Sequence, residues 1–393
     1  TGHQSDGLLA GWALDHPERQ VNFGHLAIHR TAEVAKAVIR AYYGSGPEYS
    51  YFKGCSRGGG QALMEAQRYP DDFDGIISGA PAFDWTGFMT EMIHNVQLNF
   101  LDPGNLANPV ITPGNLKLLE SRILSTCDRI DGVTDGIMED PRDCTFDLAD
   151  IPYCSDEIPA QDCFTRAQRA AIERVYAAPR NQNGNIYTGQ PFGGESHPNG
   201  WPLWMAGIDE RRLKDQGIPN LQWGFGTEFY KHFVFADPEW DYTQYDFSTW
   251  EEDTRFVSKM LDATNPDLSA FESRGGKLIL WHGWSDAALS ALASIQYFER
   301  VEAMDSKVRD YFRFFLLPGV MHCAGGPGPD RADWDSAIVD WVEKGIAPEQ
   351  VVASKRDKDG QVVMTRPLCV YPEWAAYTGR GSTDEAEKFV CRK

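Results

Sequence analysis

The segment Gly54-Cys55-Ser56-Arg57-Gly58 constrains this chain more than any other. It fits G-x-S-x-G, the turn in which a strand breaks sharply into a helix and presents a serine hydroxyl above a sheet. Its flanks agree with that. Residues 49–53 form a short aromatic-bearing run suited to a buried strand, and Gly58-Gly59-Gly60 leads into residues 61–69, which read as a helix stopped by Pro70. Small residues after the turn let the helix pack close to the strand it follows. Cys55 stands directly before the serine, and Cys323 directly follows a histidine in Met321-His322-Cys323. If these two cysteines pair, one covalent bond ties the serine to the histidine.

A serine hydroxyl is a weak nucleophile at neutral pH and needs an adjacent base, itself oriented by a third group. Residues 276–283 read as an apolar strand that breaks at a glycine, with Trp284-Ser285-Asp286 beyond its C-terminal end. Residues 313–319 repeat the pattern, and the loop that follows contains His322. Open parallel sheets carry their functional loops at that end. The order Ser56, Asp286, His322 is that of an α/β-hydrolase triad, with Ser56 as nucleophile, His322 as base and then acid, and Asp286 fixing the imidazole. The N–H of Arg57, the residue after the nucleophile, supplies one oxyanion donor. His282 is the main rival base, but its place inside a strand end suits a core histidine. His3, His16, His25, His29, His94, His197 and His232 lack a comparable strand-to-loop setting. Cys55 as nucleophile is the competing assignment; it sits one position before the apex, where a side chain points away from the exposed turn.

The residues just quoted, together with Tyr69-Pro70-Asp71-Asp72-Phe73-Asp74-Gly75-Ile76-Ile77-Ser78-Gly79-Ala80-Pro81-Ala82, His282-Gly283-Trp284-Ser285-Asp286 and Pro318-Gly319-Val320-Met321-His322-Cys323, resemble the tannase and feruloyl esterase family over nearly the whole chain. That family also contains the hydrolase of mono(2-hydroxyethyl) terephthalate. The resemblance implies an α/β-hydrolase sheet flanked by helices from residues 1–83 and 273–393, with a lid domain inserted at 84–272. It implies a disulfide under the triad between Cys55 and Cys323. It also implies a structural calcium ion in Cys127-Asp128-Arg129-Ile130-Asp131-Gly132-Val133-Thr134-Asp135-Gly136-Ile137, held by the side chains of Asp128, Asp131 and Asp135 and the carbonyls of Val133 and Ile137. Three carboxylates and two glycines in a short loop can wrap one hard cation. The loop is not an EF-hand, because Ile130 and Val133 occupy positions where that motif needs an acid or amide and a glycine. A solvated acidic turn is the alternative. Leu289, soon after Asp286, is expected in the wall of the acyl pocket, since its loop faces the cleft in the family.

Family members carry a further N-terminal region whose glycine-rich loop completes the oxyanion hole. Nothing in this sequence matches it, so the second donor has no candidate here, and the N-terminal part of the family fold is expected to be absent. Either the chain is a fragment of a longer precursor, or a second chain or substitute loop completes the site. The early glycine-rich stretch, residues 2–11, is the one segment that could adapt.

The composition of the 393-residue chain, 42% hydrophobic and 24% charged, is ordinary for one large or two unequal globular domains, and no run approaches a transmembrane span. Eight cysteines, an even number, fit an oxidising compartment and hence a secreted or periplasmic protein. With the family as guide the other pairs are Cys127 with Cys144, Cys154 with Cys163, and Cys369 with Cys391. A net charge of −20 argues against nucleic acid or anionic membrane as a partner. It favours esterified phenolics or neutral glycosides over free polyanions, and the expected partner is a small aromatic ester or an ester linked to plant polymer. Residues 24–43 read as a helix whose positions 34, 37, 38 and 41 form a core face. Residues 84–272 alternate helices with long polar loops, and Trp201, Trp204, Trp223, Trp240 and Trp250 cluster there. Most of these suit the core of a loop-rich lid, with one or two aromatics lining the cleft. The tail from residue 351 reads as a small strand pair.

The expected activity is hydrolysis of a hydroxycinnamic or related aromatic ester through an acyl-enzyme. Tannase action on gallate esters and terephthalate monoester hydrolysis are the alternatives within that chemistry. An inactive calcium-stabilised binding module is the alternative outside it.

Overall fold

Four parallel strands carry the fold: β1 (Tyr51–Ser56), β2 (Gly75–Pro81), β3 (Lys277–Gly283) and β4 (Phe312–Leu317), in the order β1-β2-β3-β4. The computed structural model describes the chain except residues 1, 2, 159 and 161. Parallel strands must be covered on both faces, and alternate residues here go to two separate apolar clusters. Ile76, Leu278, Leu280, Phe312 and Phe314 enter the larger one. Ile77, Ile279, Trp281 and Phe315 face Trp334, Ile338 and Trp341 of a helix on the opposite side.

Of the helices, α1 (Ala27–Tyr43) precedes β1, α2 (Arg57–Arg68) crosses from β1 to β2, and α3 (Trp85–Asn99) leaves β2. Then come α4 (Pro113–Cys127), α5 (Leu221–Phe229), α6 (Ala291–Met304), which follows β3, and α7 (Trp334–Lys344), which follows β4. Residues 84–272 add helices and long loops, their only strands among the described residues being the two-residue pair Arg180–Asn181 and Gly184–Asn185. This segment shares its core with the sheet. Phe88, Met92, Trp204 and Phe229 lie in the same cluster as Leu63, Ile76 and Leu278.

Two expectations change. Positions 34, 37, 38 and 41 of α1 face outward, with Val34 62% and Val38 60% exposed; Ala32 is the buried residue of that helix. Helical spacing identifies an apolar stripe, but only tertiary packing supplies its cover, and α1 precedes β1, which is an edge strand. The tail forms two hairpins rather than one. β5 (Gln350–Arg356) pairs with β6 (Val362–Cys369), and β7 (Trp374–Tyr377) pairs with β8 (Phe389–Arg392), the Cys369–Cys391 bond joining the two. No helix is long and apolar enough to cross a membrane among the described residues.

Candidate active site

Ser56 ends β1 with φ 61° and ψ −122°, a left-handed backbone that lifts its side chain out of the sheet. Glycine makes the turn possible. A Cβ on Gly54 would collide with the backbone of Gly58, and one on Gly59 with the carbonyl of Gly79, so α2 could not lie this close to β1 and β2. Asp286 follows β3 and His322 follows β4, both at the C-terminal edge where β1 delivers Ser56.

The three side chains form a continuous row. His322 Nε2 lies 2.7 Å from Ser56 Oγ, and His322 Nδ1 lies 2.8 Å from Asp286 Oδ2. The carboxylate can only accept, so Nδ1 carries the proton and Nε2 is free to accept from the serine. Asp286 is buried, and its Oδ1 accepts the N–H groups of Ala288 at 2.8 Å and Leu289 at 3.0 Å. Burial alone would raise this carboxyl; the His322 charge and the hydrogen bonds from His282 and His322 outweigh it and hold Asp286 well below the usual carboxylate range. It therefore stays ionised beside the imidazole.

Cys55 and Cys323 are bonded, with Cα atoms 6.0 Å apart, which leaves Cys55 without a thiolate to act as nucleophile. The other bonds are Cys127–Cys144, Cys154–Cys163 and Cys369–Cys391, and no free cysteine is found among the described residues. Arg57 is the first residue of α2, so its N–H has no intrahelical acceptor by position. Its guanidinium packs against Phe23, Gly24 and Trp85. It donates to the carbonyls of Phe23 and Gly24, the latter at 2.9 Å, and lies 4.4 Å and 5.0 Å from the ring centres of Phe23 and Trp85. Burial pushes it down to about 9.

Two spaces open from Ser56 and His322. One is a cavity of about 100 Å³ walled by Arg57, Trp85, Phe88, Met89, Met92, Trp204, Phe225 and Leu289. The other is a wider groove of about 670 Å³ bordered by Asp6, Gly7, Leu8, Asp209, Arg211 and Arg212. Leu289 thus stands in the cavity wall, and the early glycine-bearing stretch reaches the groove, Gly2 lying outside the described residues. Of the clustered tryptophans, Trp204 lines both spaces and meets the His322 ring edge-on at 5.3 Å. Trp85, Phe88, Met89 and Met92 are not marked in the sequence because α3 is buried nearly all round with polar and apolar residues mixed, and such a helix has no face that marks a pocket. His282 is a buried core histidine, as its strand position implied, but it also touches Asp286.

The acidic loop is wrapped by its own backbone. Asp128 Oδ1 accepts from Asp135 and Gly136 N–H, Asp131 Oδ1 from Val133, and Asp135 Oδ1 from Ile137. Arg366 pairs with Asp135 Oδ2 at 2.9 Å. The donors are all oxygen, which suits a hard cation. Among the described residues no three His, Cys, Asp or Glu side chains converge as a metal centre, so a cation here depends on the Val133 and Ile137 carbonyls as well.

A parallel sheet that presents serine, aspartate and histidine at the ends of β1, β3 and β4 defines an α/β hydrolase. The chain belongs to the tannase and feruloyl esterase family, whose profile matches residues 1–392. It is 33% identical to mono(2-hydroxyethyl) terephthalate hydrolase of Piscinibacter sakaiensis, over 95% of this chain and 69% of that protein. It is 28% identical to feruloyl esterase B of Aspergillus niger, over 99% of this chain and 74% of that protein. The crystal structure of feruloyl esterase B from Aspergillus oryzae superposes with a TM-score of 0.84 at 26% identity, covering 98% of this chain and 77% of that one. These relatives are carboxylic ester hydrolases.

Proposed function

We propose that this protein hydrolyses esters of hydroxycinnamic or closely related aromatic acids through an acyl-serine intermediate. The observation that carries the reading is the row Ser56–His322–Asp286 opening onto a cavity walled by aromatic and aliphatic side chains. His322 Nε2 takes the hydroxyl proton as Ser56 Oγ attacks the ester carbonyl, and the Arg57 N–H donates to the oxygen that becomes negative. The tetrahedral intermediate expels the alcohol, which takes the proton from His322. Water then repeats the sequence on the acyl-enzyme and releases the acid.

The choice of acyl group follows from what the cavity wall lacks. A terephthaloyl group would place a carboxylate in the cavity, whose wall beyond Ser56, His322 and Arg57 is apolar; Arg57 gives one guanidinium nitrogen to two carbonyls and keeps its Nε unpaired among the described residues, so this acyl group is the second choice. A galloyl group would bury several hydroxyls, each costing about 1–3 kcal/mol if unpaired. A hydroxycinnamoyl ring offers more apolar area and fewer polar groups. The alcohol side, whether small or linked to a plant polymer, then extends into the polar groove, over which residues 84–272 act as a lid.

The loop at Asp128, Asp131, Val133, Asp135 and Ile137 holds a structural calcium ion, supported by its oxygen-only donors and the Cys127–Cys144 bond that staples it. Four disulfides support secretion or periplasmic export. The deciding experiment is turnover of methyl ferulate, methyl gallate and a terephthalate monoester, with Ser56→Ala as control. Serine-dependent turnover highest on ferulate is the expected result. Preference for gallate or terephthalate would reassign the acyl group, and a folded chain inert on all three would favour a calcium-stabilised binding module.

A further inference from the structure

We infer that His282 is a positioning residue for this site: its ring N–H aims the Asp286 carboxylate at His322 and ties that carboxylate to the acyl-cavity wall at Leu289. The inference rests on the reading of Ser56, His322 and Asp286 as a triad.

His282 lies near the end of β3 and is 1% exposed, so both ring nitrogens need partners inside the protein. Nε2 is 3.1 Å from the carbonyl of Leu289, and Nδ1 is 2.8 Å from Ser294 Oγ on α6. A carbonyl only accepts, which assigns the proton to Nε2; Nδ1 of the neutral ring is then the acceptor, and the Ser294 hydroxyl donates to it. Ser294 is itself fully buried, so the ring, whose tautomer the Leu289 carbonyl fixes, is held from its Nδ1 side by a group that has no access to water.

The same Nε2–H lies 3.3 Å from Asp286 Oδ2. That oxygen already receives His322 Nδ1–H, while Oδ1 receives two backbone N–H groups. The carboxylate is therefore held on both oxygens, and the oxygen facing His322 has an imidazole on each side. When Ser56 loses its proton, His322 becomes an imidazolium that must keep its hydrogen bond to Asp286. A carboxylate free to rotate would lose that alignment. Leu289 adds a second connection. Its side chain walls the acyl cavity, its N–H binds Asp286, and its carbonyl takes the His282 proton, so an acyl group pressing on this wall acts on the same hydrogen bonds that orient the base.

The test compares His282→Leu, His282→Gln and Ser294→Ala in the full chain, reading kcat and KM on methyl ferulate together with melting temperature, and Ser56→Ala in parallel. Leucine fills the space without a donor, whereas glutamine can place an N–H near the position of Nε2. Small misplacement of catalytic groups costs up to about a hundredfold, so His282→Leu should lower kcat about tenfold to a hundredfold. KM should change less than kcat, because His282 lines neither the cavity nor the groove and reaches the wall only through the Leu289 carbonyl. His282→Gln should recover most of the loss. Should the leucine variant fail to fold, Ser294→Ala decides, since it removes the hydrogen bond that holds the ring from its Nδ1 side and should lower kcat more than it changes KM. Wild-type kcat in the folded leucine variant, a glutamine variant as slow as the leucine one, or, where leucine does not fold, an unaffected Ser294→Ala would overturn the proposal. Turnover by Ser56→Ala would instead remove the triad reading itself.

Discussion

Cys55 is bonded to Cys323 across 268 residues of chain, and each is the immediate neighbour of a group in the hydrogen-bonded row, Ser56 on one side and His322 on the other. Ser56 and Cys323 also share a left-handed backbone, φ 61° in both. Such conformations cost of order 1–3 kcal/mol each in non-glycine residues and persist only where the surroundings over-determine them. The bond joins the two turns directly.

Replacing both cysteines by serine should therefore slow turnover as well as destabilise the fold. Loss of a native disulfide costs about 2–5 kcal/mol, more for longer loops. Double replacement of Cys154 and Cys163, which are only nine residues apart in sequence and line neither the cavity nor the groove, should leave kcat unchanged. Melting curves and kcat for the two double variants check this. Equal effects on kcat would mean that the bond beside Ser56 has no special part in alignment.

Calcium removal should act on stability. The proposed loop borders Arg366 and the C-terminal hairpins rather than Ser56, so chelation should lower the melting temperature by several degrees, with kcat retained below the transition. Added calcium should restore the melting point, and magnesium should do so poorly because it demands a tighter octahedral shell. An unchanged melting point on chelation would argue for a solvated acidic turn.

Asp84 and Asp262 bring a pH dependence away from the catalytic row. Asp84 caps α3 through the Gly87 N–H, and Asp262 accepts both the N–H and the hydroxyl of Thr86. Burial raises both carboxyls, Asp84 to about 6 and Asp262 to about 8, the Asp84 charge adding to the effect on Asp262. The folded pKa values lie above the unfolded value near 3.8, so the folded state binds more protons in between. Stability is then fully present below about pH 4 and falls as pH rises toward 8. Asp262→Asn keeps an acceptor for the Thr86 N–H and should flatten this fall, raising the melting temperature by a few degrees at pH 8 relative to the parent and by less at pH 5. Parallel melting curves across that range would refute the pairing.

Much of the site was legible from local signals. A strand-to-helix serine turn with close-packed glycines, and Asp286 and His322 each following an apolar run, are patterns written over a few adjacent residues. Chain order alone then matches them to strand ends on one sheet edge. The pairing of Cys55 with Cys323 needed the family resemblance, because spacing does not select among eight cysteines.

The rest was decided by contacts between segments far apart in sequence. The cavity wall takes Trp85, Phe88, Met89 and Met92 from the first helix of the inserted segment, Trp204 and Phe225 from more than a hundred residues further along it, and Leu289 from the loop after β3; each reads as core in isolation, because an apolar side chain looks the same whether it faces a neighbour or an empty space. The outward face of α1 is the converse case: its spacing encoded a stripe, and only packing could say whether anything covers it. His282 shows the same limit at a single residue. A histidine at a strand end is readable as buried, but that its Nε2 lies 3.3 Å from Asp286 depends on how the loop after β3 folds back, which no periodicity records.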